Sequence, residues 1–162
     1  MAKIDFKDME LTIEDGTTGT PKSITIKVGE GTFTYNEQVT REFVLDRGAL
    51  DTVTNGDQVP MEVSFGSTWE KITVGAGVTG GVPTIEDALK QRGAAANWVS
   101  TSDDICEPYC VNIKCTYTPR EGCGTGGTIV LPDFFYESLG HNLSEGVLDV
   151  SGKCNATEAI VA

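Results

Sequence analysis

The chain has 162 residues and a mass of 17.3 kDa, a length typical of one domain. On general surface scaling such a chain exposes roughly 7,800 Å² folded and buries about 70% of what it exposes when extended, so it can hold a core without staples. Its 12 basic and 24 acidic residues give a net charge of −12, which repels a phosphate backbone, and a hydrophobic content of 39% with two tryptophans argues against disorder.

The amino-terminal run MAKIDFKDMEL has no apolar core after its lysines, and nowhere do about 18 apolar residues follow one another. Neither a membrane span nor a secretion signal is expected. The 19 glycines fall between short β-rich runs, the pattern of many strands joined by turns. The spacing predicts strands at 10–14 and 23–28, joined through the Gly, Thr and Pro cluster of 15–21. Further strands are predicted at 32–35 and 41–46. Residues 37–57 read as an extended arm, with Asn55-Gly56 as a turn signal.

The run 59–74 carries the clearest strand. Met61, Val63, Phe65, Ser67 and Trp69 alternate with Glu62, Ser64, Gly66, Thr68 and Glu70, so the apolar bulk falls on one face and a small, acidic set on the other. Residues 75–83 form a second extended connection. Gly75, Gly77 and Gly80 spell the spacing of a dinucleotide loop, but three residues still separate them from the helix they would have to open. That helix is predicted over 84–92, with Thr84 as its cap, Asp87 as the capping-box acid, and Gly93 as its stop. Strands at 111–117, 128–131 and 147–151 complete a mostly β domain spanning 1–162, with one short helix packed on a sheet.

Catalytic chemistry has few candidates. His141 is the only histidine and has no nucleophile motif around it, and Asp103 and Asp104 read as loop charges. No catalytic residue, metal or cofactor is assigned. The five cysteines, Cys106, Cys110, Cys115, Cys123 and Cys154, match no zinc spacing and read as disulfide candidates or buried thiols. Their odd count leaves at least one unpaired within the chain, free to bond a neighbouring copy.

Two stretches carry a family likeness. The run from Phe43 to Trp69, containing LDRGALDTVTNGDQVPMEVSFGSTW, resembles tailed-bacteriophage major tail tube proteins. So does the carboxy-terminal series Cys106-Glu-Pro-Tyr-Cys, Leu131-Pro-Asp-Phe-Phe-Tyr and Val150-Ser-Gly-Lys-Cys-Asn. The resemblance implies a β-sandwich or half-barrel that forms hexameric rings with a shared inner barrel, stacked into a tube for genome delivery. It also implies a virion tail location after synthesis in a host cytoplasm, and sheath, tape measure, baseplate and tail terminator proteins as partners, in a tail of contractile or non-contractile type.

On that reading residues 44–57 form an arm to the next ring, with Asp46, Arg47, Asp51 and Asp57 setting register. Glu62, Ser64, Thr68 and Glu70 face the bore, where an acidic lining lets DNA pass without binding it. Lys27 and Lys71 would complicate such a lining. The alternative is a monomeric β-sandwich that binds carbohydrate or another ligand through Trp69, Trp98 or Tyr109.

Overall fold

In the computed structural model, residues 4–28, 32–69, 83–122 and 124–162 are described. Their strands are β1 (Met9–Glu14), β2 (Ser23–Ile26), β3 (Phe33–Asn36), β4 (Val39–Asp46), β5 (Ala49–Gln58) and β6 (Met61–Thr68). Helix α1 (Ile85–Lys90) follows, and then β7 (Val111–Tyr117), β8 (Gly127–Asn142), β9 (Val147–Cys154) and β10 (Ile160–Val161). All pairings are antiparallel, and one sheet runs β2-β1-β7-β8-β9-β6-β3, with β10 beside β8. Among the described residues the architecture is mostly β with a single short α-helix, as expected.

The long strand β8 makes this one sheet behave as two. Its first half pairs with β7 as far as Val111↔Phe134, and its second half pairs with β9 from Phe134↔Cys154 onward. Phe134 is therefore the hinge row, and the chain bends at Pro132-Asp133, where a bulge breaks the β7 register. Bending folds the β1–β2–β7 half over the β6–β9 half. Leu11, Ile13, Ile26 and Ile113 from one half and Met61, Val63, Phe65 and Val150 from the other consequently share one core. The Phe65 ring stacks on Phe33 at 5.6 Å and meets Phe134 at 6.5 Å, which ties edge strand β3 to the hinge. Beyond the end of β3, Thr68 of β6 donates its N–H at 2.7 Å to the carbonyl of Lys27, the residue after β2, and so joins the two halves at one end. The result is a half-barrel.

The β1–β2 connection is locked by a buried carboxylate. Asp15 accepts from the backbone N–H groups of Thr17 (3.2 Å), Lys22 (2.7 Å) and Val99 (3.2 Å), and from the Thr17 hydroxyl (2.6 Å). Beside it Gly16 runs so close to the 99–101 segment that a Cβ would stand 2.2 Å from the Ser100 carbonyl oxygen.

Several boundaries differ from the sequence reading. The helix is shorter, because Gln91 takes a left-handed conformation (φ 52°) and ends it before Gly93. Its capping box does form, with Thr84 and Asp87 bonding each other's backbone at 3.2 and 3.1 Å. Asn55-Gly56 lies inside β5 and makes no turn; the turn is Arg47-Gly48, whose φ values of 53° and 82° are both positive, as a two-residue hairpin requires. The strand expected at 128–131 continues through Pro132 to Asn142. Residues 70–74 of the expected 59–74 strand and nearly all of 75–83 lie outside the described residues.

Candidate functional site

Alternation fixes what the outer face of the β3–β6–β9–β8 half presents. Register aligns Asn36, Glu62, Lys153 and Phe135 in one row, then Thr34, Ser64, Ser151 and Ser138 in the next. A third row sets Asp149 between Gly66 and Gly140, and a fourth aligns Thr68, Val147 and Asn142. This is a hydroxyl-rich surface, hollowed between Thr34, Glu62, Glu137 and Lys153. Glu62, Ser64 and Thr68, named from sequence as lumen candidates, stand on it and are exposed; Glu70 and Lys71 lie outside the described residues. The sequence reading overlooked Asp149, Ser151 and Lys153, although Leu148, Val150 and Cys154 alternate with them in β9 as visibly as the apolar set does in β6. Lys153 sits directly opposite Glu62, so the surface is mixed in charge at that row. Lys27 lies at the seam, outside these rows.

Both lateral edges of this four-strand unit are open among the described residues. β3 pairs with β6 alone, and beyond Phe134 strand β8 pairs with β9 alone. An open edge is a row of unpaired N–H and C=O groups, which proteins either blunt or pair with another chain.

The arm expected over 44–57 is a β-hairpin. β4 and β5 pair only with each other and continue the β3–β6 ribbon outward from its Asn36 and Glu62 end. A bulge at Asp51 decides its character. Alternation alone would put Leu50 on the side opposite Val53; the extra residue brings it round, so that Leu45↔Leu50 and Phe43↔Val53 share one face. Val39, Phe43, Leu45, Leu50 and Val53 are all exposed there, Leu50 by 75%. Asp46 and Arg47 form the tip with Asp51 beside them, and Asp57 lies near the root. At the root, Glu37 accepts from the Ala159 N–H at 2.9 Å, and Met61 donates to the Ala156 carbonyl at 2.9 Å.

At the opposite end of β6 a groove runs between α1 and the half-barrel, lined by Ile24, Lys27, Trp69, Pro83, Ile85 and Leu148 among others. On its helix side Glu86 receives Lys90 at 2.8 Å, Arg92 at 3.0 Å and His141 at 3.3 Å. Burial acts to raise the Glu86 pKa, but the Lys90 hydrogen bond and the neighbouring Lys90, Arg92 and His141 outweigh it and hold it below the usual value. His141 also packs against Trp69, with ring centroids 5.2 Å apart, so the one histidine is engaged in joining helix to sheet. No cluster of three or more His, Cys, Asp or Glu side chains suited to a metal occurs among the described residues.

The thiols are dispersed. Cys110, Cys115 and Cys154 are buried, Cys106 is exposed, and all four are free; Cys123 lies outside the described residues. Strand β8 runs between β7 and Cys154, since Phe134 pairs with both Val111 and Cys154. A span of two strands, about 10 Å, is beyond the usual reach of a disulfide. Burial pushes the thiol of Cys115 up to about 11 and that of Cys154 to about 12. Of the aromatic residues considered as ligand platforms, Trp98 is buried, and Trp69 and Tyr109 are half-buried and packed against the core.

No protein-family profile and no curated protein matches the chain. Its fold is similar to that of a chain in the cryo-EM structure of an extracellular contractile injection system, the PVC sheath/tube terminator in the extended state. The TM-score is 0.56 at 11% identity, over 100% of this chain and 98% of that one. A chain of the cryo-EM structure of the anti-feeding prophage (AFP) baseplate, 6-fold symmetrised, aligns over 100% of this chain and 97% of that one, with 9% identity and a TM-score of 0.45. At 11% identity, the first likeness is one of fold.

Proposed function

We propose that the chain is a structural, non-enzymatic subunit of a phage-tail-like particle, which assembles into hexameric rings that stack as a tube for genome delivery. The fold it shares with a chain of a contractile injection system supports the setting. The two open sheet edges carry the reading. Strands β8, β9, β6 and β3 alternate in direction, so β3 of one copy placed beside β8 of the next meets it antiparallel, and the ladder continues unbroken from copy to copy. An odd number of alternating strands would force a parallel junction. Repeated around an axis, the unit closes, and no edge remains.

On this reading the hydroxyl-rich face lines the bore. Serines, threonines and glycines offer passing DNA few cationic contacts, and the repulsion from six copies at −12 each acts against adhesion. The hairpin runs along the strand direction, out of the ring plane, and is the arm that reaches the next ring. Sheath, baseplate, tape measure and terminator proteins would meet the outside and the ends of such a tube, in a virion or tail-like particle. Electron microscopy and native mass spectrometry of the purified chain at rising concentration test the proposal. Six-fold rings or hollow filaments are expected; a monomer at every concentration overturns it and leaves the ligand-binding sandwich.

A further inference from the structure

We propose that the apolar face of the β4–β5 hairpin seats in the groove between α1 and strands β2 and β6 of a second copy in the adjoining ring. This rests on the tube reading and names the surface that receives the arm. The two features lie at opposite ends of one strand: the hairpin leaves where β6 begins at Met61, and the groove lies where β6 finishes, at Thr68 and Trp69. Translating a copy along the strand direction therefore brings hairpin to groove, a head-to-tail contact that repeats without closing and so builds length. At about 3.4 Å per residue, the eight residues of β4 reach about 27 Å, roughly the length of β6 itself.

The surfaces agree in chemistry. A two-stranded ribbon with both faces in water is marginal alone and gains most from covering its apolar side. That side presents Phe43, Leu45, Leu50 and Val53, and the groove offers Trp69, Pro83 and Ile85. Charge is secondary to this: by alternation Asp46 falls on the hairpin face opposite Phe43 and Leu45, Arg47 stands at the tip, and beside the groove Lys90 and Arg92 are paired with Glu86. Copies that repel overall can join where the contact itself is apolar.

The test uses the full chain with a benzophenone photo-cross-linking residue in place of Leu50. Cross-linked peptides from 23–27 or 83–90 of a second copy are expected; cross-links confined to other segments overturn the contact. Alongside it, a Phe43→Ser/Leu50→Ser variant, which touches no core residue, should keep the mass of single rings while raising the concentration needed for tubes by about tenfold or more. Unchanged tube formation by that variant would also overturn it. If the unmodified chain forms no rings, the tube reading fails and this contact fails with it. If rings stack normally but the cross-links lie elsewhere, the contact alone fails.

Discussion

The backbone N–H of Asp133 donates to the side-chain oxygen of Asn112 at 3.0 Å, at the bulge where β8 leaves β7 for β9. Asp133 has φ 50°, a conformation that aspartate tolerates better than most residues, and its carboxylate accepts the Thr101 hydroxyl at 2.7 Å. The bend that brings the two sheet halves face to face is thus held by side chains. Replacing Asn112 with alanine leaves that N–H without its acceptor, at a cost of about 1–3 kcal/mol. Urea denaturation should show this loss, and a shift below about 0.5 kcal/mol would mean that packing alone sets the bend.

Asp15 makes stability depend on acid. Burial works to raise its pKa, but the hydrogen bonds from Thr17, Val99 and Lys22 prevail and hold it below the ordinary aspartate value. A carboxylate whose pKa is depressed by folding adds stability above its unfolded value, near pH 4, and loses that contribution as pH falls through the folded value. The unfolding free energy should therefore fall below about pH 4, and Asp15→Asn should flatten part of that slope. The variant should also be less stable at pH 7, by about 1–3 kcal/mol. Parallel pH profiles for the two proteins would remove Asp15 from the account.

Strand β6 and the Thr84 capping box were legible in the sequence because each is a local pattern, the first of period two and the second a pairing of Thr84 with Asp87. What could not be read was non-local. Pro132 argues against a strand, yet β8 passes through it because the bulge opposite Asn112 absorbs the irregularity. The apolar side of the hairpin was hidden for a related reason: Leu50 and Val53 are out of phase until the bulge at Asp51 brings them together. The Glu62 face was half visible. Its other half, Ser151 and Lys153, comes from a strand more than eighty residues along the chain, and only the pairing register joins the two.

Self-association of a chain with net charge −12 should strengthen with salt. Screening shortens the reach of repulsion from about 30 Å at 0.01 M to about 3 Å at 1 M, while apolar contacts persist. Light scattering should show the concentration needed for assembly falling several-fold as sodium chloride rises from about 0.05 to about 0.5 M. Dissolution by salt would instead mean that ion pairs dominate the contacts between copies.

Glu62→Lys tests the lining. Glu62 is exposed and stands opposite Lys153, so the substitution places two lysines side by side on the hydroxyl-rich face. Like charges in that arrangement cost up to about 1 kcal/mol, too little to prevent folding. If the face lines the bore, particles built from the variant should assemble and release their genome more slowly, as measured by the rate of DNA release on triggering. Normal release from normally assembled particles would place this face elsewhere.

Thiol reactivity should separate surface from core. Burial holds the Cys115 thiol near 11 and, with neighbouring Asp133 and Cys110 adding to burial, the Cys154 thiol near 12. Reagents attack the thiolate, and at pH 8 a thiol of pKa near 11 is ionised about one time in a thousand even before access is considered. Cys106 lies exposed on its loop. A Cys106→Ser/Cys123→Ser chain should therefore react with Ellman's reagent only as fast as it unfolds, and urea should raise the rate in step with loss of structure. Because folding raises these thiol pKa values, their contribution to stability is complete below the unfolded thiol value and declines as pH rises toward about 11 and 12. Alkaline weakening should begin above about pH 9. Rapid labelling of the double variant at pH 8 in the absence of urea would show that the half-barrel opens at Cys110, Cys115 or Cys154 without unfolding as a whole.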